Sequence, residues 1–197
     1  MDSSAVSQCL NEGGVVVVPT DTVYGLAASP RFPAAVQKIY DLKQRPARQH
    51  LPIMVADPLD LEQLGVDLNE TANRLLASDW MPGPMTLVLG FDAEKVRPDW
   101  LADRSEIAVR IPDHHALREV LRATGPLLVT SANASGQATS AVVDEILPQL
   151  HGQPDHVTDG GRIHTVPSTL VNCRISPAEI IREAEVSAAA VLAYLEG

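Results

Sequence analysis

The sequence predicts an α/β domain (α+β in some classifications) of three layers, in which helices flank a twisted mixed β-sheet. Two apolar runs, Val15–Val18 and Leu127–Thr130, lack the alternation of a half-buried strand and are typical of strands buried on both faces. Amphipathic helical patterns alternate irregularly with such runs, which favours mixed strand directions. The length fits one large domain better than two small ones, and no linker-like segment interrupts the chain, so residues 1–197 are predicted to form one domain.

Composition and charge exclude several classes of protein. No apolar run approaches the ~20 residues of a membrane span, and no basic segment precedes an apolar stretch at the N-terminus, so we expect a cytoplasmic protein without membrane contact. The net charge of −10 argues against a protein whose whole surface binds nucleic acid, but it does not exclude a locally basic cleft. Cys9 and Cys173 lack metal-ligand spacing, and free thiols are expected, with a disulfide left open.

In the first half of the chain, capping residues and hydrophobic periodicity predict four helices and three strands. Ser3 or Ser4 can cap the first helix, Pro33 suits the first turn of the second, and Asn69 can cap the fourth. The predicted helices cover residues 2–11, 32–42, 57–65 and 69–80, and the predicted strands cover residues 15–18, 51–55 and 85–89.

A cluster of polar side chains follows the strand Val15–Val18. Pro19 ends the strand because it cannot donate to a β-ladder, and Thr20, Asp21 and Thr22 come next. Open α/β sheets bind ligands at the carboxyl ends of their strands. The cluster is therefore a candidate ligand site, with an ordinary polar turn as the alternative.

The most basic segment of this acidic chain follows the second predicted helix. It contains Lys43, Arg45, Arg48 and His50, and Pro46 disfavours helix at the residue before it. Binding of an anion such as a polyphosphate would explain why these cationic residues cluster. The alternative is an ordinary solvated surface loop. In a ligand site, Lys43 and Arg45 are expected to form the charged rim.

The second half of the chain repeats the strand-then-hydroxyl design. Ser131 and Asn133 follow the strand Leu127–Thr130, and Ser168 lies near the start of a later strand. Arg110 interrupts another strand and becomes a carboxylate anchor only if its face lines a cleft. The predicted strands cover residues 107–112, 127–130, 165–171 and 180–183, and the predicted helices cover residues 113–123, 141–147 and those after 187, with Asp113, Ser140 and Ser187 as caps.

Six segments together resemble the YrdC/TsaC family, the threonylcarbamoyl-AMP synthases. They are residues 19–26 (PTDTVYGL), 43–46 (KQRP), 82–86 (PGPMT), 109–112 (VRIP), 131–136 (SANASG) and 167–169 (PST). Each is weak alone, but their order and spacing are specific. The resemblance runs from about Gly13 to Arg182. It implies the YrdC-like fold with a deep basic cleft, in the single-domain form without the C-terminal extension of some relatives.

The resemblance also implies a reaction. L-threonine, bicarbonate (or CO2) and ATP would give threonylcarbamoyl-AMP and pyrophosphate, with Mg²⁺ accompanying the ATP. The product would pass to a tRNA threonylcarbamoyl transferase, and weak RNA binding is a further possible property of the family. Such a reaction needs no protein nucleophile, which fits a chain without an evident catalytic triad.

The family's residue roles carry over by position. Lys43 and Arg45 match the pair expected to act on the ATP phosphates and are the implied catalytic residues. The implied threonine-binding residues are Thr20, Thr22, Arg110, Ser131 and Ser168, and the implied ATP-binding residues are Lys43, Arg45, Asn133 and Arg182. No protein side chain is assigned to a metal.

Two positions depart from the family pattern. Asn172 stands where many relatives have aspartate, and Glu185 adds a carboxylate near Arg182. Two other functions stay open: an RNA-binding module, against which the acidic balance and scarce aromatic residues weigh, and a paralogue with another carbamoyl or adenylyl substrate.

Overall fold

Nine strands form one continuous sheet in the computed structural model, which describes all residues 1–197. The strands are β1 (Val16–Val18), β2 (Gly25–Ala28), β3 (Ile53–Met54), β4 (Met85–Leu89), β5 (Ile107–Arg110), β6 (Leu127–Ser131), β7 (His156–Val157), β8 (Thr169–Asn172) and β9 (Glu179–Arg182). Their spatial order is β7-β1-β2-β6-β3-β5-β4-β8-β9. The pairs β1–β7, β3–β5 and β4–β8 are parallel and the others antiparallel, so the predicted mixed sheet is confirmed.

Helices cover both faces of this sheet. They are α1 (Ser3–Asn11), α2 (Pro33–Lys43), α3 (Glu70–Leu76), α4 (His115–Thr124), α5 (Val143–Ile146) and α6 (Ala188–Glu196). Short 3₁₀ helices cover Pro58–Leu64, Asp99–Leu101 and Leu147–Gln149. None of these helices is both long enough and apolar enough to cross a membrane.

The valine strand separates two apolar cores. Val16 and Val18 pack in a smaller core beneath α1 and α4, and Val15 and Val17 belong to the larger core on the opposite face. Successive side chains of a strand point to opposite faces, and all four valines are fully buried. The predicted burial on both faces and the three-layer arrangement are therefore confirmed.

Several predicted boundaries and caps differ from the structure. Asp2, rather than a serine, caps α1, because its carboxylate accepts the N–H groups of Ser4 and Ala5. His114 caps α4 in place of Asp113, and no side chain caps α5 where Ser140 was expected. The predicted helix 57–65 is a 3₁₀ helix, and α3 ends four residues before the predicted end. Cys9 and Cys173 are free thiols.

The strand β2 is absent from the sequence prediction. It returns antiparallel beside β1, with Val18 opposite Gly25, so the polar segment 19–24 is the loop of a hairpin. Glycine and alanine carry little β propensity, which is why the sequence did not indicate the strand. A Cβ atom on Gly25 would lie 2.8 Å from Val129 Cγ1, so close approach of β6 requires glycine here.

Tyr24 ties this hairpin to a distant segment of the chain. Its hydroxyl donates to the Gly161 carbonyl oxygen at 2.7 Å and accepts the Gly160 N–H at 2.9 Å. Tyr24 is 1% exposed while both glycines lie at the surface, so the two bonds are partly shielded from water. This anchor fixes the segment that leads towards Ser168.

Replacing Tyr24 with phenylalanine should lower the free energy of unfolding by about 1–2 kcal/mol, because two part-buried hydrogen bonds to the backbone are lost. Urea unfolding measures the change. The matched control is Tyr194→Phe, whose partially exposed hydroxyl donates to one carbonyl oxygen, and which should cost no more than about 0.5 kcal/mol. Equal losses for both variants would contradict the anchoring role.

Candidate active site

A cavity of about 460 Å³ brings together nearly all of the predicted site residues. Every one of them except Lys43 lines it, although they come from segments spread between the hairpin loop and β9. The lining residues are Thr20, Thr22, Arg45, Arg110, Ser131, Asn133, Ser168 and Arg182. The volume is within the usual range for a small-molecule site.

The cavity is basic although the chain carries a net charge of −10. Arg45, His50, Arg110 and Arg182 line it, and no aspartate or glutamate does. Burial lowers the pKa of the three arginines from its usual value, but arginine stays protonated at neutral pH. The expected basic cleft is therefore present and suited to anions.

Arg110 is the most deeply buried of these cations, at 4% exposure. Its Nε donates to the Gly83 carbonyl oxygen at 2.9 Å and its Nη1 to Thr22 Oγ1 at 2.6 Å. Its Nη2 lies 2.7 Å from Asp21 Oδ2. This is ion-pair distance, and both Nη2 and the Asp21 carboxylate oxygens are buried from solvent. Arg110 itself lines the cavity, so its charge acts on a ligand there.

Asp21 is a site residue to which the sequence analysis gave no role. Both of its carboxylate oxygens are buried without a hydrogen bond, and Arg110 is its ion-pair partner. The neighbouring charge partly offsets the lowering of the Arg110 pKa by burial. A carboxylate in the hairpin loop and a lone arginine inside a strand were the only signals available in the sequence.

The hydroxyl of Thr20 is used within the hairpin loop. It donates to the Val23 carbonyl oxygen at 2.7 Å and accepts the N–H groups of Thr22 and Val23 at 3.1 and 3.2 Å. Thr20 thus lies in the cavity wall with no hydroxyl proton left for a ligand. Thr22 accepts from Arg110, so both hydroxyls shape the loop that positions the guanidinium.

Lys43 does not form the charged rim, and that expectation is wrong. It is 2% exposed at the end of α2, and its Nζ contacts the carbonyl oxygens of Ser131 and Asn133, the latter at 2.5 Å. The Ser135 N–H donates to the Lys43 carbonyl oxygen, so the helix end packs against this loop. Burial, and then the nearby Arg45, lower the pKa of Lys43 to about 7. The ammonium lies directly behind the cavity wall.

Arg45 lines the cavity wall and forms hydrogen bonds with the loop that follows it. Its Nε donates to the Gln49 carbonyl oxygen at 3.0 Å and its Nη2 to that of His50 at 3.2 Å. The preceding residue, Gln44, ends α2 in a left-handed conformation with φ 48°. This reversal brings Arg45 and His50 to the same cavity.

A pair of hydroxyls forms another part of the lining. Thr86 Oγ1 and Ser168 Oγ are 2.6 Å apart, and both residues line the cavity almost fully buried. Arg182 donates from Nε and Nη2 to the Ser168 carbonyl oxygen, at 3.2 and 2.8 Å. Asn133 Nδ2 donates to the Ala134 and Gln137 carbonyl oxygens and fixes its loop.

The departures from the family pattern lie outside the cavity. The Asn172 amide bonds Glu179 and Arg174 in the turn between β8 and β9. Glu185 is exposed and does not line the cavity. Both differences therefore affect the edge of the sheet.

The arrangement can hold a small molecule with several anionic groups. Arginines supply charge and hydroxyls supply directional hydrogen bonds. No group of three or more His, Cys, Asp or Glu side chains is placed to hold a metal ion. Mg²⁺ on a nucleotide commonly binds through phosphate oxygens and water, and a cavity without carboxylates fits that mode.

Comparisons with known proteins agree with this fold. The family model for Sua5, YciO and YrdC, described as "Telomere recombination", matches residues 8–184. The chain is 36% identical over 166 residues to threonylcarbamoyl-AMP synthase of Bacillus subtilis, covering 83% of this chain and 48% of that protein. It is 33% identical to threonylcarbamoyl-AMP synthase of Pseudomonas aeruginosa, covering 81% and 88%. The chain thus spans about half the length of the first relative and most of the second.

Two solved structures of related proteins have the same fold. Sua5 of Pyrococcus abyssi complexed with L-threonine superposes with a TM-score of 0.87 at 28% identity, covering 98% of this chain and 57% of that one. YciO of Escherichia coli superposes with a TM-score of 0.81 at 27% identity, covering 93% and 89%. The match to the family model, the similar relatives and the shared fold together show that the chain belongs to the Sua5/YciO/YrdC family.

Proposed function

We propose that the protein is an L-threonylcarbamoyl-AMP synthase, which forms threonylcarbamoyl-AMP and pyrophosphate from L-threonine, bicarbonate or CO2, and ATP. The observation that carries the proposal is a single basic cavity in which a buried arginine, two further arginines and several hydroxyl side chains meet. The names of the relatives and the threonine complex of the P. abyssi protein support it. Residues 1–197 would supply the catalytic site as one domain in the cytoplasm, where ATP and tRNA are found.

The amino acid is proposed to occupy the Arg110 side of the cavity. Its carboxylate would accept a charge-assisted hydrogen bond from the Arg110 guanidinium, the most deeply buried cation of the lining. Charge-assisted bonds of this kind are roughly twice as strong as neutral ones. Ser131 and Ser168 would border the amino acid, while Thr20 and Thr22 would act by holding the loop around Arg110.

ATP is proposed to occupy the side lined by Arg45, Asn133 and Arg182. The arginines would stabilise the phosphates, and Lys43 would add charge from behind the wall. Mg²⁺ would reach the site on the phosphate oxygens, without a protein ligand.

The chemistry requires positioning more than covalent catalysis. The neutral threonine amine attacks the carbon of CO2 and loses one proton to solvent, which gives a carbamate that keeps one N–H. A carbamate oxygen then attacks the α-phosphorus of ATP, and pyrophosphate leaves. Orienting the reactants in one cavity supplies about 7–11 kcal/mol of barrier reduction in favourable cases, and the cations stabilise the developing charge. The product is proposed to pass to a tRNA threonylcarbamoyl transferase.

The enzyme assay is threonine-dependent release of pyrophosphate from ATP in the presence of bicarbonate. Arg110→Lys should raise the KM for threonine about tenfold or more, with little change in the KM for ATP, because lysine cannot keep the three-way contacts of the guanidinium. The matched control is Arg122→Ala, which removes a surface arginine paired with Asp57. Thermal melting confirms that each variant is folded. No release with any amino acid would contradict the proposed function, and an unchanged threonine KM would contradict the role of Arg110.

Binding of ATP at pH 8 should take up protons. The pKa of Lys43 is about 7, so its amine is mostly neutral at pH 8. Adjacent phosphates favour the ammonium and raise this pKa, which draws in up to about one proton per ATP. Calorimetry in two buffers of different ionisation enthalpy measures the uptake.

Lys43→Met should abolish this uptake and weaken ATP binding, whereas Lys95→Met, a change at a surface lysine, should alter neither. Equal uptake by the wild type and Lys43→Met would show that the proton goes elsewhere. Unchanged ATP affinity in Lys43→Met would remove Lys43 from the site.

A further inference from the structure

We infer that Thr86 determines the preference for a β-hydroxyl on the amino-acid substrate, acting as a pair with Ser168. The inference rests on the proposed function, because it assigns specificity within the same cavity. The 82–86 motif contains Thr86, but neither the motif nor the proposed reaction gives its hydroxyl a task.

Strand register places Thr86 directly beside the proposed carboxylate anchor. In the antiparallel pair of β4 and β5, Leu87 lies opposite Val109 and Val88 opposite Ala108. Continuing this register puts Thr86 opposite Arg110. Opposite residues of antiparallel strands share a face, with Cβ atoms about 4.5–5.5 Å apart, and both side chains line the cavity.

The Thr86–Ser168 pair keeps one hydroxyl proton for a ligand. The two oxygens are 2.6 Å apart, and that bond uses one of the two protons, whichever oxygen donates. Neither hydroxyl makes another hydrogen bond, and the residues are 5% and 6% exposed. An almost buried donor without an acceptor, facing a cavity, fits a substrate oxygen.

The pair is held rigidly enough to discriminate between substrates. Arg182 fixes the Ser168 carbonyl oxygen with two hydrogen bonds, and Thr86 lies within β4 between its neighbours β5 and β8. Ala108 and Leu170 line the cavity nearby with apolar groups. The surroundings therefore offer one polar contact and an apolar wall, which matches a side chain that carries one hydroxyl and one methyl group.

Covalent geometry connects the two parts of the amino acid. The carboxylate carbon and the β-carbon of an α-amino acid are two bonds apart. Arg110 and Thr86 lie opposite each other and line the same cavity, so a carboxylate bound at Arg110 directs the β-substituents of the same molecule towards the face that carries Thr86. A β-hydroxyl there accepts the unused proton of the pair, whereas valine, the same shape without the oxygen, cannot.

The discrimination should be moderate. Strong rejection of an analogue arises when a buried polar group is left unpaired. Here the two hydroxyls satisfy each other when no ligand hydroxyl is present. Loss of one neutral hydrogen bond corresponds to about tenfold in specificity.

The test compares kcat/KM for threonine and valine in the wild type and in Thr86→Val, with pyrophosphate release as the readout. The threonine-to-valine ratio should fall about tenfold in Thr86→Val. Thr86→Ser, which restores the hydroxyl, should recover the ratio. Ser168→Ala and the double variant complete a cycle in which the two changes are not additive, because the hydroxyls act as a unit.

The control is Thr124→Val, whose hydroxyl bonds the carbonyl oxygens of Val120 and Gly125 outside the cavity, and which should leave the ratio unchanged. An equal fall for threonine and valine in Thr86→Val would overturn the inference, since the pair would then hold the shared carboxylate. If the wild type turns over no amino acid, the proposed function fails, and calorimetric binding of threonine and valine still tests the preference. In that binding measurement, a threonine-to-valine affinity ratio that is the same in the wild type and in Thr86→Val would overturn the inference.

Discussion

Burial of the Arg110 guanidinium is the constraint on which the site depends. A charge removed from water is costly unless it is paired and hydrogen-bonded. The Gly83 carbonyl oxygen, the Thr22 hydroxyl and the Asp21 carboxylate meet this need. They come from two loops distant in sequence, so the hairpin after β1 and the turn before β4 must close around one side chain of β5. The position of the cavity follows from that closure.

The protein separates its positive charge from its negative charge. The cations face a partly open cavity whose lining contains no carboxylate, while acidic residues give the whole chain a charge of −10. Charges act more strongly where water is excluded, so a small anion is attracted at the cavity. The remaining surface repels a polyanion that is too large to enter. This distribution favours a small-molecule site over an extended nucleic-acid surface.

Local sequence patterns predicted most strands of the sheet and most residues of the cavity. Such patterns arise from residues that are neighbours in the sequence, so a sequence alone contains them. The valine strand, the strand Met85–Leu89 and the Ser187 cap follow from runs, periodicity and capping chemistry. The strand β2 was missed because its small residues are chosen for close packing against β6, which is a tertiary requirement. The burial of Lys43 and the pairing of Asp21 with Arg110 depend on how distant segments pack, and no local pattern records that.

The bonds from Arg45 to the carbonyl oxygens of Gln49 and His50 have a consequence for ligand exchange. The two bonds use two of the five N–H groups of the guanidinium, so the N–H groups of Nη1 and one of Nη2 are not committed to the loop. An anion in the cavity can therefore engage Arg45 while both bonds to the loop persist. The same side chain then holds residues 46–50 in place and contacts the ligand, so the wall keeps its shape as ligands enter and leave.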